Sequence, residues 1–184
     1  MNYATIKKND VANGPGVRVS LFVSGCRHYC KNCFNSEAWD FNYGKEFTDD
    51  TIDEIIEASK PSYIEGLSIL GGEPFEVENQ EGLVRLCRAF RMHFPEKSIW
   101  CYTGFLYDAE LLTENSRAAS DNTKKLLDLI DFLVDGRFVE EKKDLSLRFR
   151  GSSNQRIIDL GASRSSKDIV LWDETKDNVE FSDI

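Results

Sequence analysis

Residues 17–33 read VRVSLFVSGCRHYCKNC, and the change of character halfway along decides how the chain is built. The first seven residues are a short apolar run rich in β-branched side chains, closed by Ser24-Gly25. That is the pattern of a buried strand meeting a turn. The next eight residues carry three cysteines, Cys26, Cys30 and Cys33, and show no hydrophobic period. In parallel α/β folds ligands gather beyond the carboxyl ends of strands, where loops are free to vary. A strand that empties into a cysteine loop fits that plan.

The same unit recurs along the chain. Ile52, Ile55 and Ile56 stand at helical spacing over residues 51–60, with Asp49 and Asp50 favouring the helix start. Residues 66–70 are strand-like and run into Gly71-Gly72-Glu73-Pro74, and Leu83, Leu86, Cys87 and Phe90 mark one face of a second helix. Residues 98–102 predict a strand ending at Thr103-Gly104, residues 108–112 begin a helical stretch, and residues 123–130 a further helix. The apolar run 132–134 then meets the turn Asp135-Gly136. Such alternation predicts βαβ units and a parallel sheet. A complete eightfold barrel takes about 250 residues, and this chain has 184. The expected fold is therefore α/β, a partial, open parallel β/α barrel, occupying residues 1–160. Residues 161–184 are set apart by Ser163, Ser165 and Ser166, one apolar patch at 169–172 and an acidic end. They read as a C-terminal acidic extension that adds an edge strand, docks a partner or is partly disordered.

Composition narrows the function. With 41% hydrophobic and 30% charged residues the chain suits one compact domain. A net charge of −9 repels phosphate backbones, which argues against nucleic-acid binding. No run approaches the roughly 18–20 apolar residues that span a bilayer, and residues 1–10 lack the apolar centre of a signal peptide. No membrane role and a cytoplasmic location are expected. Five cysteines, three of them within eight residues, make a poor disulfide framework and point to metal binding or chemistry.

Thiolates on one short loop can converge on an inorganic cluster, and iron–sulfur clusters are held by four cysteines when every iron is saturated. Here the loop offers three. Cys87 lies on an apolar helix face and Cys101 inside a strand, where free cysteine behaves as a small core residue. An open coordination position distinguishes catalytic from structural metal sites. The competing reading is a structural Cys3His zinc site completed by His28, two residues from both Cys26 and Cys30, a spacing that crowds a tetrahedral ion. Thiolate softness favours iron–sulfur. Arg27, His28 and Tyr29 themselves read as loop-surface residues, and Asn13-Gly14-Pro15-Gly16 as a tight turn.

The C-x3-C-x2-C spacing resembles the radical S-adenosylmethionine superfamily. Within it the chain is similar to the activases of anaerobic ribonucleoside-triphosphate reductase, on NGPGVRVSLFVSGCRHYCKNCFN at 13–35, LGGEP at 70–74, YTG at 102–104, LVDGRF at 133–138 and RGSSNQRIID at 150–159. The resemblance implies a 4Fe-4S cluster on Cys26, Cys30 and Cys33, whose open iron chelates S-adenosyl-L-methionine. It implies an electron from a low-potential donor such as flavodoxin, release of a 5′-deoxyadenosyl radical, and a glycyl radical on the large subunit of the reductase. It also implies cofactor contacts from Gly71, Gly72 and Glu73 to the amino group, and from Asn32, Cys33 and Phe34 near the adenine. Many superfamily members carry an aromatic residue where this chain has Asn32, so the adenine contact is the least determined. Arg150 and Arg156 are candidates to pair with carboxylates of the cofactor or partner. Other readings are an activase of another glycyl-radical enzyme, of the pyruvate formate-lyase type, and a non-catalytic metal-binding module.

Overall fold

The structure, a computed structural model, describes residues 1–173. Its strands are β1 (Asn2–Asp10), β2 (Val17–Val23), β3 (Lys45–Glu46), β4 (Ile64–Gly71), β5 (Ser98–Tyr102), β6 (Phe132–Asp135) and β7 (Arg156–Asp159). They form one open sheet in the order β3-β1-β2-β4-β5-β6-β7. The middle four run parallel and in chain order, whereas β1, β3 and β7 pair antiparallel at the two sides. Helices α1 (Asp49–Ser59), α2 (Val77–His93) and α3 (Thr123–Leu129) fill the crossovers, and α4 (Leu160–Ser166) follows β7.

The sheet is thus α/β and not closed, as the chain length requires, but only its middle is parallel. The antiparallel additions correct the expectation of an all-parallel sheet, and their sequences explain why they escape notice. In β1 only Tyr3 and Asp10 are buried, so no apolar alternation announces it; β3 is two exposed charged residues. The helical stretch expected from 108 is a single π turn, Tyr107–Leu111. It is pinned where Glu110 Oε2 accepts from Leu106 N and Asp135 Oδ2 from Tyr107 N, both at 2.8 Å.

Alternation along each strand divides the sheet into two faces. Val19, Leu21, Val23, Leu67, Ile69, Ile99, Cys101 and Leu133 join the helices in the main core. The intervening residues face the other side, where Trp100, Val134 and Ile157 form a second cluster with Tyr102, Phe132, Phe149 and Trp172. Arg18 lies in this second layer, 1% exposed. Its guanidinium donates to Ser68 Oγ at 2.8 Å, Ser98 Oγ at 3.0 Å and the carbonyls of Leu67 and Ser98 at 2.9 and 2.8 Å. Every donor so used offsets part of the cost of burying the charge. Burial still draws its pKa down to about 10.

Beyond β7, Asp159 caps α4 by accepting from Ala162 N at 2.8 Å. Leu171 then bridges Ile158, and Trp172 meets Trp100 edge-on with ring centroids 5.4 Å apart. The apolar patch at 169–172 therefore folds back onto the second layer, while the acidic end, residues 174–184, lies outside the described residues. Among the described residues no helix is long and apolar enough to cross a membrane.

Candidate active site

The cysteine loop leaves β2 through Gly25, whose φ of +93° is open to glycine at little cost. Gly25 N and Cys26 N donate to the carbonyls of Ala38 and Trp39, so the short turn Ser36–Trp39 backs the start of the loop. Tyr29 and Asn32, each immediately before a cysteine, sit in the left-handed region at φ +49° and +57°. These two reversals curl the loop, and Cys33 N closes one of them on Cys30 O at 3.1 Å. As a result Cys26, Cys30 and Cys33 all line one cavity of about 490 Å³, together with Asn32, Phe34, Gly71, Gly72 and Glu73. Burial pushes the Cys26 thiol up to about 12 and raises that of Cys30. Cys87 and Cys101 are wholly buried in the main core, in keeping with their reading as core residues.

The glycine pair closes the opposite wall. Gly72 N donates to Val23 O at 2.7 Å and Glu73 N to Gly25 O at 2.8 Å, stitching this turn to the end of β2. A Cβ on Gly72 would stand 2.6 Å from Gly25 O and 2.9 Å from Ala38 O, so backbone alone fits there. Glu73 is 1% exposed and its carboxylate is fully occupied by the chain. Oε1 accepts from Phe75 N and Thr103 Oγ1 at 2.9 and 2.7 Å; Oε2 accepts from Gly104 N and His28 Nε2 at 2.7 and 2.8 Å.

His28 corrects the sequence reading, which left it on the loop surface; Arg27 does stay exposed, its side chain 41% accessible. The His28 side chain is 2% exposed, and its second nitrogen, Nδ1, lies 3.4 Å from Arg117 Nη2. With both ring nitrogens facing protein partners it is not poised as a fourth zinc donor. Among the described residues, no three His, Cys, Asp or Glu side chains gather around a single ion position. Arg27 pairs with Glu76 and Glu78, and its backbone N–H donates to Glu76 Oε1 at 2.9 Å. Tyr29 does remain exposed.

Glu76 and Arg117 were not singled out from the sequence. Buried Glu76 joins Arg27 of the cysteine loop to Arg117 of the loop before α3. A carboxylate four residues after a Gly-Gly turn is ordinary by composition; only the fold gives it two arginines. Tyr102 was noted as part of YTG; the residue lines the cavity, and its hydroxyl is buried within the protein with no hydrogen-bond partner. Lys143, Asp144, Leu145, Leu147 and Phe149 line the cavity from the long connection between β6 and β7. Arg156 does not face it: the guanidinium pairs within the chain, with Asp135 and Asp108 at 2.5 and 2.8 Å.

Comparison with known proteins now bears on this arrangement. A family described as a 4Fe-4S single cluster domain matches residues 12–158. The chain is 41% identical over 159 residues to the anaerobic ribonucleoside-triphosphate reductase-activating protein of Vibrio cholerae, covering 85% of this chain and 97% of that protein. The Escherichia coli K12 protein of the same name is 42% identical over 157 residues (84% and 96% covered), and that of phage T4 36% identical over 157 (85% and 93%). The chain belongs to the anaerobic ribonucleoside-triphosphate reductase-activating protein family. For this member of the activating-protein family, the cluster-domain match runs from the turn before β2 to β7 and contains every residue that lines the cavity. Helix α4 and the returning segment lie beyond it.

Proposed function

We propose that this protein activates an anaerobic ribonucleoside-triphosphate reductase by radical S-adenosylmethionine chemistry, leaving a glycyl radical on the reductase's large subunit. The observation that carries the reading is that three cysteines of one loop and the Gly71-Gly72 turn line one cavity. The donor set fits the group: three thiols for four irons leave one iron open, and all three cysteines line the same cavity. Cys26, Cys30 and Cys33 would hold the 4Fe-4S cluster. When bound, it supplies a low-potential electron, drawn from a donor such as flavodoxin, to the sulfonium of S-adenosyl-L-methionine, the chemistry that yields methionine and a 5′-deoxyadenosyl radical.

The chain's own residues bind, orient and exclude water. Gly71 and Gly72 set their backbone on the cavity wall, where it would meet the amino and carboxylate end of the cofactor, while their missing side chains let the turn pack against the backbone of Val23, Gly25 and Ala38. Glu73 holds that turn in place rather than leaving it to the ligand. Asn32 and Phe34 flank Cys33 on the adenine side. Phe34 and Leu145, both highly exposed, give the cavity an apolar rim, suited to a reductase segment that must bring its glycine in and displace water. The names of the relatives favour the reductase over a pyruvate formate-lyase-type target.

Anaerobic reconstitution with iron and sulfide should give a brown protein that, with dithionite and S-adenosylmethionine, releases 5′-deoxyadenosine. Adding the large reductase subunit should then produce a glycyl signal by electron paramagnetic resonance. A colourless protein that takes up one zinc and never cleaves the cofactor would end the proposal, and a signal only on a formate-lyase-type partner would redirect it.

A further inference from the structure

Resting on the function above, we infer that His28 is a positioning residue that docks the cysteine loop onto the 71–73 and 103–104 turns before any cofactor arrives. Three segments far apart in sequence meet at its ring. Nε2 lies 2.8 Å from Glu73 Oε2, the oxygen that also accepts from Gly104 N. A carboxylate only accepts here, so Nε2 carries the hydrogen and Nδ1 is left to accept from Arg117. The ring stands edge-on to Phe105 with centroids 4.5 Å apart. It also covers Gly104 so closely that a Cβ there would stand 2.5 Å from His28 Cδ2 and 2.7 Å from Nε2. Gly104 is therefore glycine for the sake of the ring, not for a special backbone angle.

Two consequences follow for the site. A carboxylate has about four lone-pair directions, and His28 takes the last one on Glu73. Glu73 then acts on a ligand through the turn it holds rather than by direct contact. The other ties between the loop and this turn, Glu73 N to Gly25 O and Arg27 N to Glu76, lie at or before Arg27. His28 is the next residue along, and carries the restraint towards Cys30 and Cys33. It sets where the cluster-bearing cysteines stand relative to the backbone that receives S-adenosylmethionine, a second-layer role of the kind that tunes metal sites.

The test compares reconstituted full-length wild type with His28→Ala, His28→Gln, Gly104→Ala and the double variant His28→Ala/Gly104→Ala. Expected are unchanged iron content and a KM for S-adenosylmethionine raised on the order of tenfold in His28→Ala, the weight of one hydrogen bond to a charged group. His28→Gln, which keeps a donor, should return KM towards wild type. Gly104→Ala should mimic His28→Ala by pushing the ring off Glu73. The double variant should be no worse, because the methyl then enters the space the ring left. A wild-type KM in His28→Ala, or single effects that add in the double variant, would overturn the inference. Hydrogen exchange on the iron-free chains separates it from the proposed function: His28→Ala should exchange faster at residues 27–33 and 104. If the wild type loads iron yet never cleaves the cofactor, the function fails, and unchanged exchange at those amides would sink the His28 role as well.

Discussion

Cys30 and Gly72 stand on opposite walls of the cavity and fail in opposite ways. The Cys30 side chain is partly exposed and outside both core clusters, so Cys30→Ala should leave the unfolding free energy of the iron-free chain, measured by urea titration, within about 0.5 kcal/mol of wild type. Iron bound per chain after reconstitution should nonetheless fall sharply, with cofactor cleavage lost. Gly72→Ala drives a methyl into the carbonyls of Gly25 and Ala38. Backbone cannot yield as a side-chain tip can, and the variant should lose about 1–3 kcal/mol in the same urea experiment. At this scale the sequence was legible where spacing keeps residues together: three cysteines within eight residues of one loop do line one cavity. It was silent where partners are distant. His28 looked like a surface residue because Glu73 and Gly104, the groups that bury it, lie 45 and 76 positions further on. Glu76 gains its meaning only from Arg27 and Arg117, which nothing local announces.

Elements repeat the pattern. β4 and β5 were readable because their apolar runs end at Gly-Gly and Thr-Gly turns, and α1 because Ile52, Ile55 and Ile56 keep helical spacing behind Asp49 and Asp50; the structure adds a reciprocal cap between Thr48 and Thr51. β1 was not, because it is flanked by a two-residue strand on one side and shows the solvent most of its side chains. The segment after α4 was legible as an apolar patch but not as a fold-back, since Trp172 finds Trp100 and Phe149 only through tertiary packing. Trp172→Ala should therefore destabilise the chain by about 1–2 kcal/mol, a discount on full aromatic burial for a ring that is only half-buried. Thermal unfolding followed by near-ultraviolet circular dichroism would check it. In the second layer, Arg18→Met removes the donor to the carbonyls of Leu67 and Ser98 and to Ser68 Oγ, which keeps only its bond to Asn13 O. With orphaned buried acceptors costing about 1–3 kcal/mol each, and some recovered by relaxation, a loss of about 3 kcal/mol is expected by urea titration.

For the molecule as a whole, core and site are built separately. The main core lies between the sheet and its helices, whereas the cysteines line a cavity whose turns are held by hydrogen bonds of Glu73, Glu76 and Asn79. Stripping iron with a chelator under oxidising conditions should bleach the protein while leaving its far-ultraviolet circular dichroism and urea m-value unchanged, unlike small zinc modules that unfold without metal. Loss of secondary structure on bleaching would count against this division. One further feature bears on how such a site can be lost. β2 is buried along almost its whole length, sits between β1 and β4, and delivers the chain directly to Cys26. Its amides can open only when the sheet comes apart. The anchor of the cysteine loop therefore shares the cooperativity of the entire domain: mild heat or denaturant frays the edges first, and the cavity disappears in the same transition as the fold.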